Sequence, residues 1–275
     1  MLIGAHIKKE KTLIKTLNNI KKIDGNALQF FTSSPKKLEP VNPIKYFLEK
    51  DEILEKYSDI GLVIHSAYTI NISRFDVNTE IGNKIYECLI NDLVIASNLK
   101  AVGVIVHVGK YVDMNIPTAL HNMYSCIMIL IQAMKELNLQ TKIILETAAG
   151  QGSELLVNID EFINFYNEIN IPEYFGLCFD TCHVYSAGFK ITEAYNKIQD
   201  NTNNGICVIH LNGSKTNFGS KKDRHESLHK GFITNDILVE FVQNIKTDLM
   251  IILETPDDTI KNIEIEFIKK NIKEL

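Results

Sequence analysis

No apolar run in this chain reaches the roughly 18 residues of a membrane span, and the opening MLIGAHIKKE lacks the basic-then-apolar order of a secretion signal. Both absences exclude a membrane-spanning or exported protein, so the chain is expected to stay in the cytoplasm. A GxGxxG turn is missing, which removes the dinucleotide-binding reading. The glycine-bearing ETAAGQGSE, Glu146 to Glu154, lacks the Lys-Ser/Thr ending of a phosphate-cradling P-loop. Its glycines are expected to let the backbone turn sharply beside Glu146. CxxC spacing is also absent. The five cysteines (Cys88, Cys126, Cys178, Cys182, Cys207) are an odd number set mostly in apolar segments, where reduced thiols serve as small packing residues. Without export, the sequons at Asn71 and Asn212 carry no glycan.

What is present is a chain of 275 residues, 45% hydrophobic and 23% charged, enough for one large α/β domain or two small ones. The net charge of -5 argues at first against a nucleic-acid partner. That argument lapses for a metalloprotein, because three divalent cations would bring the total to about +1 and place the positive charge inside the cleft.

Eight apolar runs have strand length and composition: 2 to 7, 27 to 32, 62 to 68, 102 to 108, 142 to 147, 175 to 181, 206 to 212 and 249 to 255. Each is rich in Val, Ile, Leu or Phe, as parallel strands buried on both faces require. Helical spacing fills the intervals. Ile85, Leu89, Leu93 and Ala96 form one stripe; Leu120, Met123, Ile127, Ile131 and Met134 form another, opening near Pro117. Strand and helix alternating eight times without a linker predict a (β/α)8 TIM barrel, one domain over residues 1–275, whose active site lies at the carboxyl ends of the strands.

Those ends carry the chemistry. The third run holds His65, the fourth His107, the fifth Glu146, the sixth Asp180 with His183 three residues on, the seventh His210 and the eighth Glu254, while the loop after the seventh adds Asp223 and His225. A single His at a strand end is ordinarily a hydrogen-bonded structural residue. Five on one rim with four carboxylates are another matter, because burying so many ionisable groups without cations costs several kcal/mol per unpaired charge. A metal cluster is the expectation. His6 has no acidic sequence neighbour and is expected to support the site from behind, while His121 and His229 read as surface or packing residues.

The motifs VIHSAYTIN, VHVG, LETAAGQGS, GLCFDTCH and HLNGSKTNFGSKKDRHESL, spread from the first strand to ILET near the end, resemble endonuclease IV, the zinc-dependent apurinic/apyrimidinic (AP) endonuclease family. The resemblance implies three zinc ions: His65, His107 and Glu146 on one, Glu146, Asp180, His210 and Glu254 on a second, and His183, Asp223 and His225 on a third. It makes Glu146 and Glu254 the catalytic carboxylates and duplex DNA lacking a base the partner. The phosphodiester 5′ to the lesion would be hydrolysed by a monomer with no obligate protein partner. Tyr68 and the loop FTSSPKK, 31 to 37, would enter the duplex. This sequence has Lys36 and Lys37 where the family places Arg and Gln, and a lysine attracts phosphate but neither stacks nor forks. Lys221, Lys222 and Arg224 complete the expected DNA-binding set. The alternative is a metal-dependent sugar isomerase or epimerase, which has no use for His65, His107 or the Asp223-x-His225 pair; a DNA-binding relative that has lost its metals would not keep all nine ligands.

Overall fold

The computed structural model describes residues 1–246 and 249–272. Seven parallel strands come first: β1 (Leu2–His6), β2 (Ala27–Phe31), β3 (Gly61–His65), β4 (Gly103–Val106), β5 (Lys142–Glu146), β6 (Phe175–Asp180) and β7 (Ile206–His210). A two-stranded antiparallel ribbon, β8 (Gly213–Ser214) with β9 (His225–Glu226), interrupts the sequence before the eighth barrel strand, β10 (Met250–Leu253). The eight long strands close into a barrel in chain order, and β1 seals it against β10 with Leu2 opposite Met250.

Each expected run contains a barrel strand, but most strands end early. The run expected to reach Tyr68 leaves the sheet after His65, and those expected to reach Val108, Asn212 and Thr255 end at Val106, His210 and Leu253. His65, Glu146, Asp180 and His210 are the last residues of β3, β5, β6 and β7, and His107 and Glu254 stand one residue past the ends of β4 and β10.

Both helical stripes are buried as their spacing requires, save Leu120, which is partly buried against the core. Thr79 caps the helix Glu80–Asn98 by accepting from Gly82 N, and Asn115 caps Ile116–Glu136, which has Pro117 in its first turn. No helix among the described residues is long and apolar enough to cross a membrane. The main core lies between barrel and helices. A second, smaller one fills the barrel itself with Ala27, Val63, Ile105, Ile144, Cys178, Val208, Met250 and Ile252.

That inner plug sets the site. Side chains two apart on a strand share a face, so the residues two beyond Val63, Ile105, Ile144, Cys178, Val208 and Ile252 also face inward, one layer nearer the mouth. They are His65, His107, Glu146, Asp180, His210 and Glu254. The same step from Ala27 leads to Gln29.

Candidate metal centre

Glu146 is the hub of this layer. Its Oε2 lies 3.0 Å from His107 Nε2 and 3.6 Å from His65 Nε2, while its Oε1 lies 2.7 Å from His210 Nδ1. His210 Nδ1 in turn faces Glu254 Oε2 at 3.1 Å and Asp180 Oδ2 at 3.7 Å. Asp180 also caps the helix Thr181–Ala187 by accepting from His183 N at 2.7 Å, so the turn that a capping Asp explains also aims His183 at the site. From the loop side, Asp223 Oδ1 sits 3.3 Å from His183 Nε2 and 3.2 Å from His225 Nε2.

The nine side chains thus form three groups whose ligand-type atoms lie within 4.8 Å of one another: His65, His107, Glu146; Glu146, Asp180, His210, Glu254; and His183, Asp223, His225. Cys178 and Cys182 also fall near members of these groups. Burial pushes both thiols up, Cys182 to about 12, so neither offers a thiolate at neutral pH.

Five buried side-chain atoms have no hydrogen-bond partner among the described residues, Ser73 Oγ, Ser227 Oγ and, within this layer, Glu146 Oε2, His183 Nε2 and His225 Nε2. Unsatisfied buried polar atoms are rare without a reason. The last three converge with other lone pairs in a nitrogen and carboxylate donor set that suits zinc. The residues fit a metal.

The protonation balance agrees. Burial alone would raise the Glu146 carboxyl, yet His210, His107 and His183 hold it well below the usual carboxylate range. Glu254, whose burial also opposes ionisation, is held down to about 2 by His210 and His225. Burial would lower the imidazoles, but Glu254 and Glu146 lift His210 to about 9, and Asp180 with Asp223 lifts His225 to about 9. Without a cation, protons therefore occupy His210 and His225, in the place a metal takes when they become ligands.

The imidazoles are aimed in two ways. His65 Nδ1 lies 2.8 Å from Ser66 O and His183 Nδ1 2.8 Å from Thr147 O. A carbonyl only accepts, so both Nδ1 atoms carry hydrogen and Nε2 faces the site. His210 is reversed, its Nε2 lying 2.7 Å from Gln29 Oε1 and its Nδ1 facing the carboxylates.

Above the layer lies a cleft of about 450 Å³ bordered by Tyr68, Lys110, Gln151, Lys215 and Arg224. Tyr68 is 57% exposed and its ring stands against those of His65, His107 and Phe31. Arg224 reaches Gln151 Oε1, which also accepts from Asp223 N. Lys36, Lys37, Lys221 and Lys222 are exposed but do not line this cleft. Lys37 pairs loosely with Glu39 at 3.5 Å. Gly150 and Gly152 take φ of 84° and 66°, the sharp turn expected beside Glu146. A larger cavity of about 880 Å³ lies outside the barrel between helices Ile116–Glu136 and Ile159–Ile169, away from the nine residues.

Sequence reasoning passed over Gln29, Lys110 and Asn212. Asn212 is fully buried, donates to Asp180 Oδ2 at 2.7 Å and accepts from Glu254 N at 2.9 Å, so it braces two candidate ligands. Gln29 had one signal, an amide in the middle of an apolar parallel strand.

A profile described as the xylose isomerase-like TIM barrel matches residues 17–273. The chain is 32% identical to a probable endonuclease 4 of Finegoldia magna, over 99% of this chain and 98% of that one. The chain belongs to the endonuclease IV family. It is thereby an enzyme of the hydrolase class with a metal-binding site. The solved endonuclease IV from Thermus thermophilus superposes with a TM-score of 0.77 at 21% identity, covering 98% of each chain. A D-tagatose 3-epimerase-like protein superposes with 0.78 at 19% identity, covering 98% of this chain and 97% of that one. At those identities the two structures speak to the fold, which endonuclease IV enzymes share with sugar epimerases.

Proposed function

We propose that the chain is a zinc-dependent AP endonuclease of base-excision repair, hydrolysing the phosphodiester 5′ to an abasic site in duplex DNA. The observation that carries this reading is the group His183, Asp223, His225 standing beside the buried four, Glu146, Asp180, His210 and Glu254. An epimerase working with one cation has a use for the buried four alone. The remaining residues would have no task.

In this reading the three groups would hold three zinc ions, and Glu146 belongs to two of the groups. When bound, the ions supply Lewis-acid neutralisation of the phosphate and a water nucleophile at neutral pH. The chain's own groups set the stage. Glu146 turns one oxygen to each of two groups, so a single carboxylate spans both and screens the repulsion between their charges. Glu254, ionised down to about 2, presents an anionic Oε2 at the floor of the cleft, able to orient the attacking water. The Tyr68 phenol borders the cleft and, protonated at neutral pH as any ordinary tyrosine is, serves as a hydrogen-bond donor.

Lys110, Lys215 and Arg224 border the cleft with positive charge for the phosphates on either side. Lys36, Lys37, Lys221 and Lys222 act from farther out, drawing the duplex in across a Debye length of about 8 Å. Recognition rests on shape, because an abasic nucleotide has no base edge to read and is cheaper to extrude. The enzyme would work as a cytoplasmic monomer.

The test is a duplex carrying a tetrahydrofuran abasic analogue. Incision 5′ to the analogue, leaving a 3′-hydroxyl, is expected. An intact analogue, or a covalent protein-DNA adduct trapped by borohydride, would overturn the hydrolytic assignment.

A further inference from the structure

We propose that Gln29 is the positioning residue that decides which nitrogen His210 turns to the metal. The inference rests on the reading that His210 is a ligand. Gln29 is fully buried in β2, two residues beyond Ala27 of the inner plug, and makes three side-chain contacts. Its Nε2 donates to Glu254 Oε1 at 2.6 Å and faces His6 Nδ1 at 3.0 Å, and its Oε1 lies 2.7 Å from His210 Nε2.

Only one orientation of the amide satisfies all three. Flipped, its oxygen would stand 2.6 Å from an oxygen of Glu254, and because a carboxylate that ligates a metal is deprotonated, two acceptors would be in contact. The NH2 therefore faces Glu254 and His6, and the carbonyl is left for His210. Against a carbonyl, His210 Nε2 must carry hydrogen, and Nδ1 is the nitrogen free to ligate.

Gln29 differs in kind from the groups that aim the other imidazoles. His65 and His183 are fixed by main-chain carbonyls, which no substitution at Ser66 or Thr147 removes. His210 alone among these three is fixed by a side chain, and the same side chain steadies Glu254. One amide thus orients two of the four residues of the buried group.

The test compares the zinc-loaded wild type with Gln29→Met, which keeps the volume but neither accepts from imidazole nor donates to carboxylate. In the wild type, imidazole 15N shifts should show His210 bound through Nδ1 with Nε2 protonated. Chelator competition on Gln29→Met should show one ion weakened about 10- to 100-fold and the others unchanged.

If the wild type binds zinc at His210 through Nε2, or if Gln29→Met loads every ion with wild-type affinity, the inference about Gln29 fails while the metal reading stands. A wild type that binds no zinc sinks both. The wild-type spectrum needs no variant to fold, so the inference stays open to refutation even if substitution in β2 destabilises the barrel.

Discussion

The buried four and the loop-borne group are built differently. Glu146, Asp180 and His210 are at most 1% exposed at strand ends, braced by Gln29 and Asn212. Asp223 and His225 have side chains 33% and 20% exposed, and the ribbon that carries His225 is two residue pairs long. A ligand at the end of a barrel strand is held by the ladders on both sides, whereas Asp223 and His225 rest on the short ribbon and the bond from Asp223 N to Gln151, so fewer restraints fix their geometry. The fold supplies a firm half and a yielding half to one site.

Glu146→Gln should break the firm half most severely, because an amide cannot present two anionic oxygens to two groups at once. A fall in turnover of roughly 10³-fold is expected, read from incision of the tetrahydrofuran duplex alongside the zinc content. Near wild-type turnover with unchanged metal would remove Glu146 from its role.

The yielding half is tested by changing Asp223 and His225 to Ala together. Elemental analysis should find about three zinc ions in the wild type and about one fewer in the variant, with turnover reduced on the order of 10²-fold. Loss of all the zinc would mean that the two halves are not separable.

A pH series sharpens the comparison in the metal-free protein. His210 and His225 rise from an ordinary 6.5 to about 9 on folding, so their pairing stabilises the fold fully below 6.5 and that contribution is lost as pH climbs through about 9. The melting temperature should fall over that window after chelation, and His210→Asn should flatten the fall more than His225→Asn if the buried pairing is the stronger.

The smallest effect belongs to the outer lysines. Changing Lys36 and Lys37 to Ala should lower the salt slope of abasic-duplex binding by about one to two units and leave cutting at saturating DNA intact. An unchanged slope would show that both face solvent in the complex.

The strands and the six inward-facing residues at or next to their ends were legible in the sequence for one physical reason. In a barrel each apolar plug residue and the polar residue two positions on share a face, so VIH, IVH, ILE, CFD, VIH and ILE all announce the same layer. The loop-borne Asp223 and His225 were legible only through the motif around them, since loops have no period. Gln29 obeyed the same two-residue step but went unread, because an amide carries no ligand signature. Its partners His210 and Glu254 lie 181 and 225 residues away and meet it only through the closed barrel. The outer lysines were read from their charge. Their charge was plain, but the direction of their loops was not, whereas Lys110, held toward Glu154 at 3.3 Å, borders the cleft.

The seal of β1 against β10 joins the two ends of the chain, and it bears on how the protein matures. The buried four span residues 146 to 254, and Gln29 from the second strand sits against two of them, so no shorter stretch of chain assembles that pocket. Contacts of such sequence separation form late in folding. Zinc would then bind tightly only after the last strand has docked, acting as a latch on a finished barrel: it would slow unfolding by mass action and leave the rate of folding nearly unchanged.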